Sequence, residues 1–334
     1  ETDVAIIGAG PVGLFAVFEC GMLKMRCHVV DSLEVIGGQC AALYPEKPIY
    51  DIPGCPSLLG RELVERLEAQ AAPFAPRYHL DQRVESLEES ERGWRLATSA
   101  GVVIEAKAVI VAAGVGAFGP NRPPLEGIED YEGRSVFYLV ARPEEFRGKR
   151  VVIAGGGDSA VAWALVVAGV AEGVQVVHRR AKFRAAPESA RRLEELAGEG
   201  AIELVIPYQL DALEGSGGQL EAVVLRDLDG GTKRLEADIL LPFFGLSMNL
   251  GPIADWGLNL ERNHIVVDPA TSMTSRRGIF AIGDIATYEN KLKLILTGFS
   301  EAAMAAHAIH PLVHPGAALH WEYSTTKGVP GLDG

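Results

Sequence analysis

The chain has 334 residues, 48% of them apolar, and carries 31 Lys and Arg against 44 Asp and Glu for a formal net charge of −13 at pH 7. That length suits two domains with full-sized cores, and the acidity argues against a nucleic-acid partner, which would need a basic footprint. No apolar run reaches the roughly 18 uncharged residues needed to span a bilayer, and the four cysteines, none spaced as C-x-x-C, suggest neither a disulfide framework nor a metal site but a reducing cytoplasm. Residues 1–3 lead directly into a strand, so no signal peptide is expected.

Val4-Ala5-Ile6-Ile7 is an apolar, β-branched run that reads as the first strand. Gly8-Ala9-Gly10-Pro11-Val12-Gly13 follows, Leu14–Glu19 reads as a helix, and Cys27–Val30 as a second strand ending at Asp31. A glycine fingerprint between strand and helix, with an acid about 20 residues on, is the pattern of a dinucleotide site. Gly8 permits the tight turn, Gly10 lets backbone approach a pyrophosphate, and Gly13 lets the helix pack on the strand. The helix N-terminus offers amides to phosphate. Asp31 is placed to hold ribose hydroxyls, which disfavours a 2′-phosphate.

The stretch "IGGQCAALYP" (36–45) comes next, with Cys40 followed by no second cysteine. Val109–Gly114 reads as another strand. Then the first device repeats. Val151–Ala154 is a strand, Gly155-Gly156-Gly157-Asp158-Ser159-Ala160 a second fingerprint with Ala at its third glycine position, and Val161–Gly169 an apolar helix. Its second strand, Val174–Val177, ends in His178-Arg179-Arg180, with Arg184 close behind. His178 stands where Asp31 stands in the first copy. Arginines there clamp a 2′-phosphate, so this unit is read as binding NADP and the first as binding a dinucleotide without that phosphate.

Residues 238–245 form a further strand, "GIFAIGDIA" (278–286) places Gly283-Asp284 at a strand end, and Gly298–His310 is an Ala-rich helix. The fold class expected is α/β, with two Rossmann-like domains of the three-layer ββα type. One domain comprises 1–116 and 246–334, and a second, 117–245, is inserted into it. The crossings, Gly114–Pro120 and Phe244–Asn249, contain glycine and can serve as hinges.

Six stretches carry a resemblance: "GAGPVGL", "GGQCAALYPEKPIYDIPG", "GGGDSAVAWAL", "HRRAKFRA", "FAIGDIATYENKLKLI" and "YSTT". Over nearly its whole length the chain resembles the thioredoxin-reductase-like flavoproteins, and among them the ferredoxin (flavodoxin)–NADP⁺ reductases. The resemblance implies FAD in the first domain, NADPH in the second, and a homodimer. It implies that FAD is touched at Asp31, Gln39, Tyr44, Val84, Phe118, Asp284 and Thr325. Tyr50 and Tyr323 would stack on the two faces of the isoalloxazine and are the candidates for contact with the reacting ring. Phe299 and Ser300 fall near the start of the last helix, whose N-terminus would face the flavin N1/C2=O edge. One departure is Ala162, where an acid is common.

The thioredoxin reductases proper keep a cysteine pair just after the second fingerprint, and the glutathione-reductase branch keeps one after the first Gly-Gly. Here the former region has no cysteine and the latter has Cys40 but Pro45 at the partner position. Electrons must then leave from the flavin to an outside carrier, ferredoxin or flavodoxin, and Cys40 is a small buried residue. An NADPH diaphorase or flavin reductase acting on small acceptors, and a non-catalytic nucleotide-sensing flavoprotein, are the competing readings. Lys47, Lys291, Lys293 and Lys327 are the cations expected to offset the chain's acidity where an acidic carrier docks.

Overall fold

The computed structural model describes residues 1–140, 142–317 and 328–329, with side chains described except at 117–120 and 246–248. The chain divides into two compact units, Glu1–Phe118 with Met248–Gly334, and Gly119–Ser247. The expected divisions fall at 116/117 and 245/246.

In the first unit, Thr2–Ile7 is the central strand. It pairs in parallel with Cys27–Val30 on one side (Val4 opposite Cys27, Ile7 opposite Val30) and with Val103–Val111 on the other (Ile7 opposite Val111). Arg77–His79 extends the sheet beyond Cys27–Val30. Val103–Val111 does double duty on its far edge. Its first half pairs antiparallel with Gly93–Thr98, which pairs in turn with Val84–Ser90, and its last residues pair in parallel with Ile279–Ala281. The parallel sheet therefore grows a β-meander from one strand.

Both faces of that sheet are covered at its centre, which is why Val4–Ile7 and Ala108–Val111 are apolar at every position rather than alternating. Val4, Ile6 and Ile110 pack with Val17 and Cys20 of the helix Pro11–Met22 and with Ala302 and Ala306 of the helix Ile295–Val313. Ala5, Ile7 and Val109 face the other way, onto Leu96, Ile104, Trp256 and Ile265.

The second unit repeats the plan. Glu203–Val205, Gly173–Val177, Arg150–Ala154 and Ile239–Pro242 form a parallel sheet in that order. The helix Asp158–Val167 packs Val161, Ala164 and Val167 on one face with Ile153 and Val176. The meander Gln209–Ser216, Gln219–Arg226 and Thr232–Glu236 covers the other through Val223 and Leu225. This is an α/β fold of two Rossmann-like halves, each with sheet, helices and meander.

Of the element boundaries that differ from the sequence expectation, three have a packing reason. The fingerprint helix starts at Pro11, because proline fits a first helical position, where no N–H is required. The strand expected over 109–114 runs instead from Val103 to Val111, and the Ala112 carbonyl is pressed against Gly8. The last helix begins at Ile295 rather than Gly298. Gly298 lies inside it because a Cβ there would overlap Val12 of the fingerprint.

Gly13 is the tightest of these contacts. A Cβ on it would overlap the carbonyl oxygen of Gly8, which is backbone and cannot rotate away. Gly13→Ala should therefore destabilise the first unit by about 1–3 kcal/mol, the usual range for overpacking. Urea unfolding followed by far-UV circular dichroism measures it, and a wild-type midpoint in the variant would mean the turn relaxes freely.

Candidate functional site

At the C-terminal ends of the first unit's parallel strands lies a cleft of about 630 Å³. Gly8, Gly10, Pro11, Asp31, Gln39, Tyr44, Val84, Gly283 and Asp284 all line it. Gly10 is the N-cap of the fingerprint helix and makes no side-chain capping bond. The first-turn amides therefore point unblocked into the cleft. A Cβ at Gly10 would meet nothing nearer than the Gly38 Cα at 3.9 Å, so backbone and ligand can approach closely there. A helix N-terminus with free amides and an open glycine floor fits a pyrophosphate.

Asp31 sits at the end of its strand, but its carboxylate is partly engaged already. Oδ2 accepts the Ala9 N–H at 2.6 Å and Oδ1 the Leu33 N–H at 2.9 Å. Burial raises its pKa, and these backbone donors oppose the rise. Asp31 thus ties the fingerprint turn to the second strand while still lining the cleft. Gly13 lies beneath the cleft, buried under Gly8. Tyr50 is not among the lining residues and is 70% exposed. Phe118 is on the strand Ala117–Pro120, where side chains are not described. Tyr323 and Thr325 lie outside the described residues.

Gly283 has φ +72°, a left-handed conformation suited to glycine, and turns the chain so that Asp284 lines the cleft. Behind the turn is a group that sequence reasoning missed. Glu301 and Lys291 are both almost fully buried and form an ion pair at 2.6 Å. The available signal was Glu301 itself, the one acid in the apolar helix Ile295–Val313. Lys291 must therefore be removed from the set of surface cations. Its charge is spent on Glu301, and only Lys47 and Lys293 of the expected four remain candidates among the described residues. Lys47 Nζ lies 5.2 Å from the Tyr44 ring centre, and Lys293 Nζ meets His264 Nε2. Lys327 lies outside the described residues. Phe299 is in the second turn of the helix, packed on Phe15 with ring centres 4.9 Å apart, and the N-cap is Leu294.

Cys40 also lines the cleft. Burial, with Asp284 adding to it, pushes its thiol up to about 11, so it stays protonated at neutral pH. Trp256 is a further lining residue that the sequence reading passed over, and its Nε1–H has no partner among the described residues.

The second unit builds its own cradle. Gly157 is the N-cap of the helix Asp158–Val167, again without a side-chain cap, and a Cβ on it would meet nothing within 4 Å. Ser159 is half-buried in the first turn. Ala160, at the third fingerprint position, is wholly buried. Gly155 backs onto the Phe243 carbonyl, as Gly8 backs onto Ala112. Asp158 turns outward, and its Oδ1 accepts the Ala186 N–H at 2.8 Å. That bond draws the "HRRAKFRA" loop toward the helix start, as does the Arg184 N–H bonded to the Gly156 carbonyl at 2.7 Å.

The loop's residues divide in two. Arg179, Arg180 and Arg184 are exposed, and among the described residues none makes an ion pair. His178 is buried, its ring stacked on Phe183 with centres 5.3 Å apart and pressed against Gly156, where any Cβ would overlap it. Burial lowers its pKa, so it is a neutral plate under the phosphate-binding turn. Its Nε2 has no partner among the described residues. Three free guanidinium groups beside unblocked helix amides fit a nucleotide with an additional phosphate.

The family model for pyridine nucleotide-disulphide oxidoreductases matches residues 2–307. The chain is 64% identical over 331 residues to the ferredoxin–NADP reductase of Paramagnetospirillum magneticum, covering 99% of this chain and 98% of that one. It is equally similar, at 64% over 336 residues, to the ferredoxin–NADP reductase of Rhodospirillum rubrum, covering 99% and 97%. Among solved structures, thioredoxin reductase of Lactococcus lactis in its FR conformation superposes with a TM-score of 0.82 at 25% identity, covering 94% of this chain and 99% of that one.

The strand that ends at Asp31 carries a pH-sensitive contact. His79 Nε2 lies 3.1 Å from His28 Nδ1 across the two neighbouring strands, and the Asp31 N–H donates to the His79 carbonyl at 3.0 Å. Burial, then the facing His79, lowers His28 to about 4; burial also lowers His79. An unfolded histidine titrates near ~6.5. Between those values the unfolded chain binds more protons than the folded one, so stability rises with pH and is lost as pH falls from ~6.5 toward 4. Urea midpoints at about pH 7, 5.5 and 4.5 should fall in that order for wild type and fall less for His28→Gln. Equal slopes in both would clear the pair of responsibility.

Proposed function

This chain belongs to the pyridine nucleotide-disulphide oxidoreductase family, and from that premise we propose that it is a ferredoxin–NADP reductase, using FAD to move electrons between NADPH and ferredoxin. The observation that carries this reading is the lone thiol of the cleft. Cys40 is the only cysteine lining it, its pKa is about 11, and all four cysteines of the chain are free. A disulfide substrate would need a second sulfur to relay a pair of electrons. Bound FAD takes a hydride from a nicotinamide and can release electrons singly, which suits an external one-electron carrier. The diaphorase and sensor readings are not favoured, since the relatives that match end to end bear the ferredoxin–NADP reductase name.

In this reading the first-unit cleft takes FAD. The fingerprint helix receives its pyrophosphate and Asp31 its ribose. Asp284 accepts bonds from the ribityl chain, and Gln39, Tyr44 and Val84 close around the ligand. Tyr50, 70% exposed, is available to one face of the ring, with Tyr323 assigned to the other and Phe118 and Thr325 alongside. The last helix begins at Ile295, and its positive end favours negative charge on the reduced ring. The second unit takes NADPH, with its pyrophosphate at Gly155–Ala160 and its 2′-phosphate between Arg179, Arg180 and Arg184.

We extend the reading to flavodoxin as a second carrier, to a homodimer and to the cytoplasm. Leu292, Leu294 and Leu296 are 64%, 38% and 42% exposed in one short stretch, an apolar face that a second copy would cover. Four unpaired thiols support a reducing compartment. No helix of the described residues is long and apolar enough to cross a membrane.

The direct test is NADPH-driven reduction of purified ferredoxin, compared with flavodoxin and with an oxidised disulfide. Ferredoxin should be reduced and the disulfide should not. Cys40→Ala should leave ferredoxin reduction within about twofold of wild type, since a protonated lone thiol carries no electrons. A folded, FAD-loaded Cys40→Ala protein that no longer passes electrons would mean the thiol is part of the route.

Nucleotide preference follows from the exposed arginines. Replacing Arg179 and Arg180 with Ala removes charged bonds worth about 1.5–3 kcal/mol each. The Michaelis constant for NADPH should rise tenfold or more (~1.4 kcal/mol per decade), and that for NADH should barely move. Equal rises for both would take the 2′-phosphate away from this loop.

A further inference from the structure

We propose that the buried Lys291–Glu301 pair is the positioning device of the flavin site: it clamps the amide and the carbonyl of Gly283, so fixing where Asp284 presents its carboxylate, and adds no net charge behind the ring. This rests on the reading that the first-unit cleft holds FAD.

The geometry is closed around one residue. Glu301 Oε2 accepts the Gly283 N–H at 2.7 Å. Glu301 Oε1 accepts Lys291 Nζ at 2.6 Å and the Tyr288 hydroxyl at 2.8 Å. Lys291 Nζ donates a second bond, to the Gly283 carbonyl at 2.7 Å. Both polar backbone groups of Gly283 are thus held by the two ends of one ion pair, and the side chains are 4% and 3% exposed. Gly283 has φ +72°, and a glycine left to itself samples many other values. The clamp restricts it to the one that turns Asp284 into the cleft.

Stability alone does not call for this arrangement. A buried ion pair is often no better than an apolar plug of the same volume. A plug, however, cannot bond an N–H and a C=O together. A lone buried carboxylate could hold the N–H but would stack a second negative charge behind Asp284, beside a ring that takes up electrons. Lys291 cancels that charge. Burial lowers its pKa, and both Glu301 and Asp284 act to restore it, which places all three groups within electrostatic reach of one another.

The experiment uses the full chain. FAD affinity is read by fluorescence titration of deflavinated protein with FAD, and the flavin midpoint potential by anaerobic titration of the loaded protein. Glu301→Leu and Lys291→Met should each weaken FAD by roughly tenfold or more, since each leaves a buried charge unpaired and removes one of the two bonds that hold Gly283. Glu301→Gln keeps an oxygen for the Gly283 N–H but still strands the Lys291 ammonium, so it should recover only part of that loss. The potentials should move in opposite directions: Lys291→Met more negative, because a positive charge is gone, and Glu301→Gln more positive. Loosened packing alone would not reverse sign between the two. FAD affinity within about twofold of wild type in both Glu301→Leu and Lys291→Met, or potentials that shift the same way, would overturn the proposal. Should those variants not fold, Tyr288→Phe removes one donor to Glu301 without stranding a charge. It should weaken FAD about two- to fivefold, and unchanged affinity there would also overturn the proposal. A wild-type chain that binds no FAD would instead overturn the reading of the cleft itself.

Discussion

The first unit depends on three backbone segments packing around Val12, with no room for a side chain on Gly13 or Gly298. The fingerprint turn, the Gly283 turn and the first turns of the last helix converge there. A Cβ on Gly298 would overlap Val12, one on Gly283 would lie 3.5 Å from it, and one on Gly13 would overlap the carbonyl of Gly8. The sheet makes this convergence possible. Thr2–Ile7, Val103–Val111 and Ile279–Ala281 run parallel and adjacent, so their C-terminal ends arrive side by side. Segments from near residues 8, 112 and 283 then share one floor. This is the usual place for a ligand in an open parallel sheet, and here the glycines let backbone amides, rather than side chains, form its surface.

The second unit uses the same device with different chemistry at one position. In the first, the residue after the second strand is Asp31, which reaches back to the Ala9 amide and stiffens the turn from above. In the second it is His178, which lies below the turn against Gly156 and offers no charge. The carboxylate would repel an added phosphate. The neutral ring removes that repulsion and leaves the outward positions to Arg179, Arg180 and Arg184. On the function proposed above, one scaffold would distinguish two dinucleotides by whether the strand-end residue is an anion tied to the turn or a plate beneath it.

Much of this was legible in the sequence because it rests on local pattern. Both fingerprints, the strands that precede them and the arginine run could be placed from spacing alone. The last helix was found but set three residues late, since Gly298 was read as its beginning when its real task is a close contact with Val12. The meander Val84–Ser90, Gly93–Thr98 was not read, because its strands are half exposed and rich in charge. Lys291 was read as a surface cation, the default for lysine. Its burial depends on Glu301, ten residues on and in a different element, and no local rule pairs them. Asp31 was read as a ribose ligand, and its bond to the fingerprint amide is visible only once the strands are in register.

The removal of Lys291 from the surface sharpens the electrostatic problem of an acidic carrier meeting a chain of net charge −13. Overall charge then acts against encounter at long range, while within about one Debye length, ~8 Å at physiological salt, local groups decide. Lys47 and Lys293 are local in this sense, as neighbours of the cleft-lining Tyr44 and Leu294. Burying Lys291 has a compensating effect. In the proposed flavin site a free ammonium behind the Gly283 turn would favour electrons on the ring and hold them there, whereas the neutral pair would leave the ring's affinity for electrons to the helix end at Ile295 and to Asp284. With Cys40 protonated and alone, no cysteine pair competes for those electrons. The same fold that serves thioredoxin reductases can then deliver electrons directly from the ring edge, because what decides the exit is the presence or absence of a second sulfur beside it.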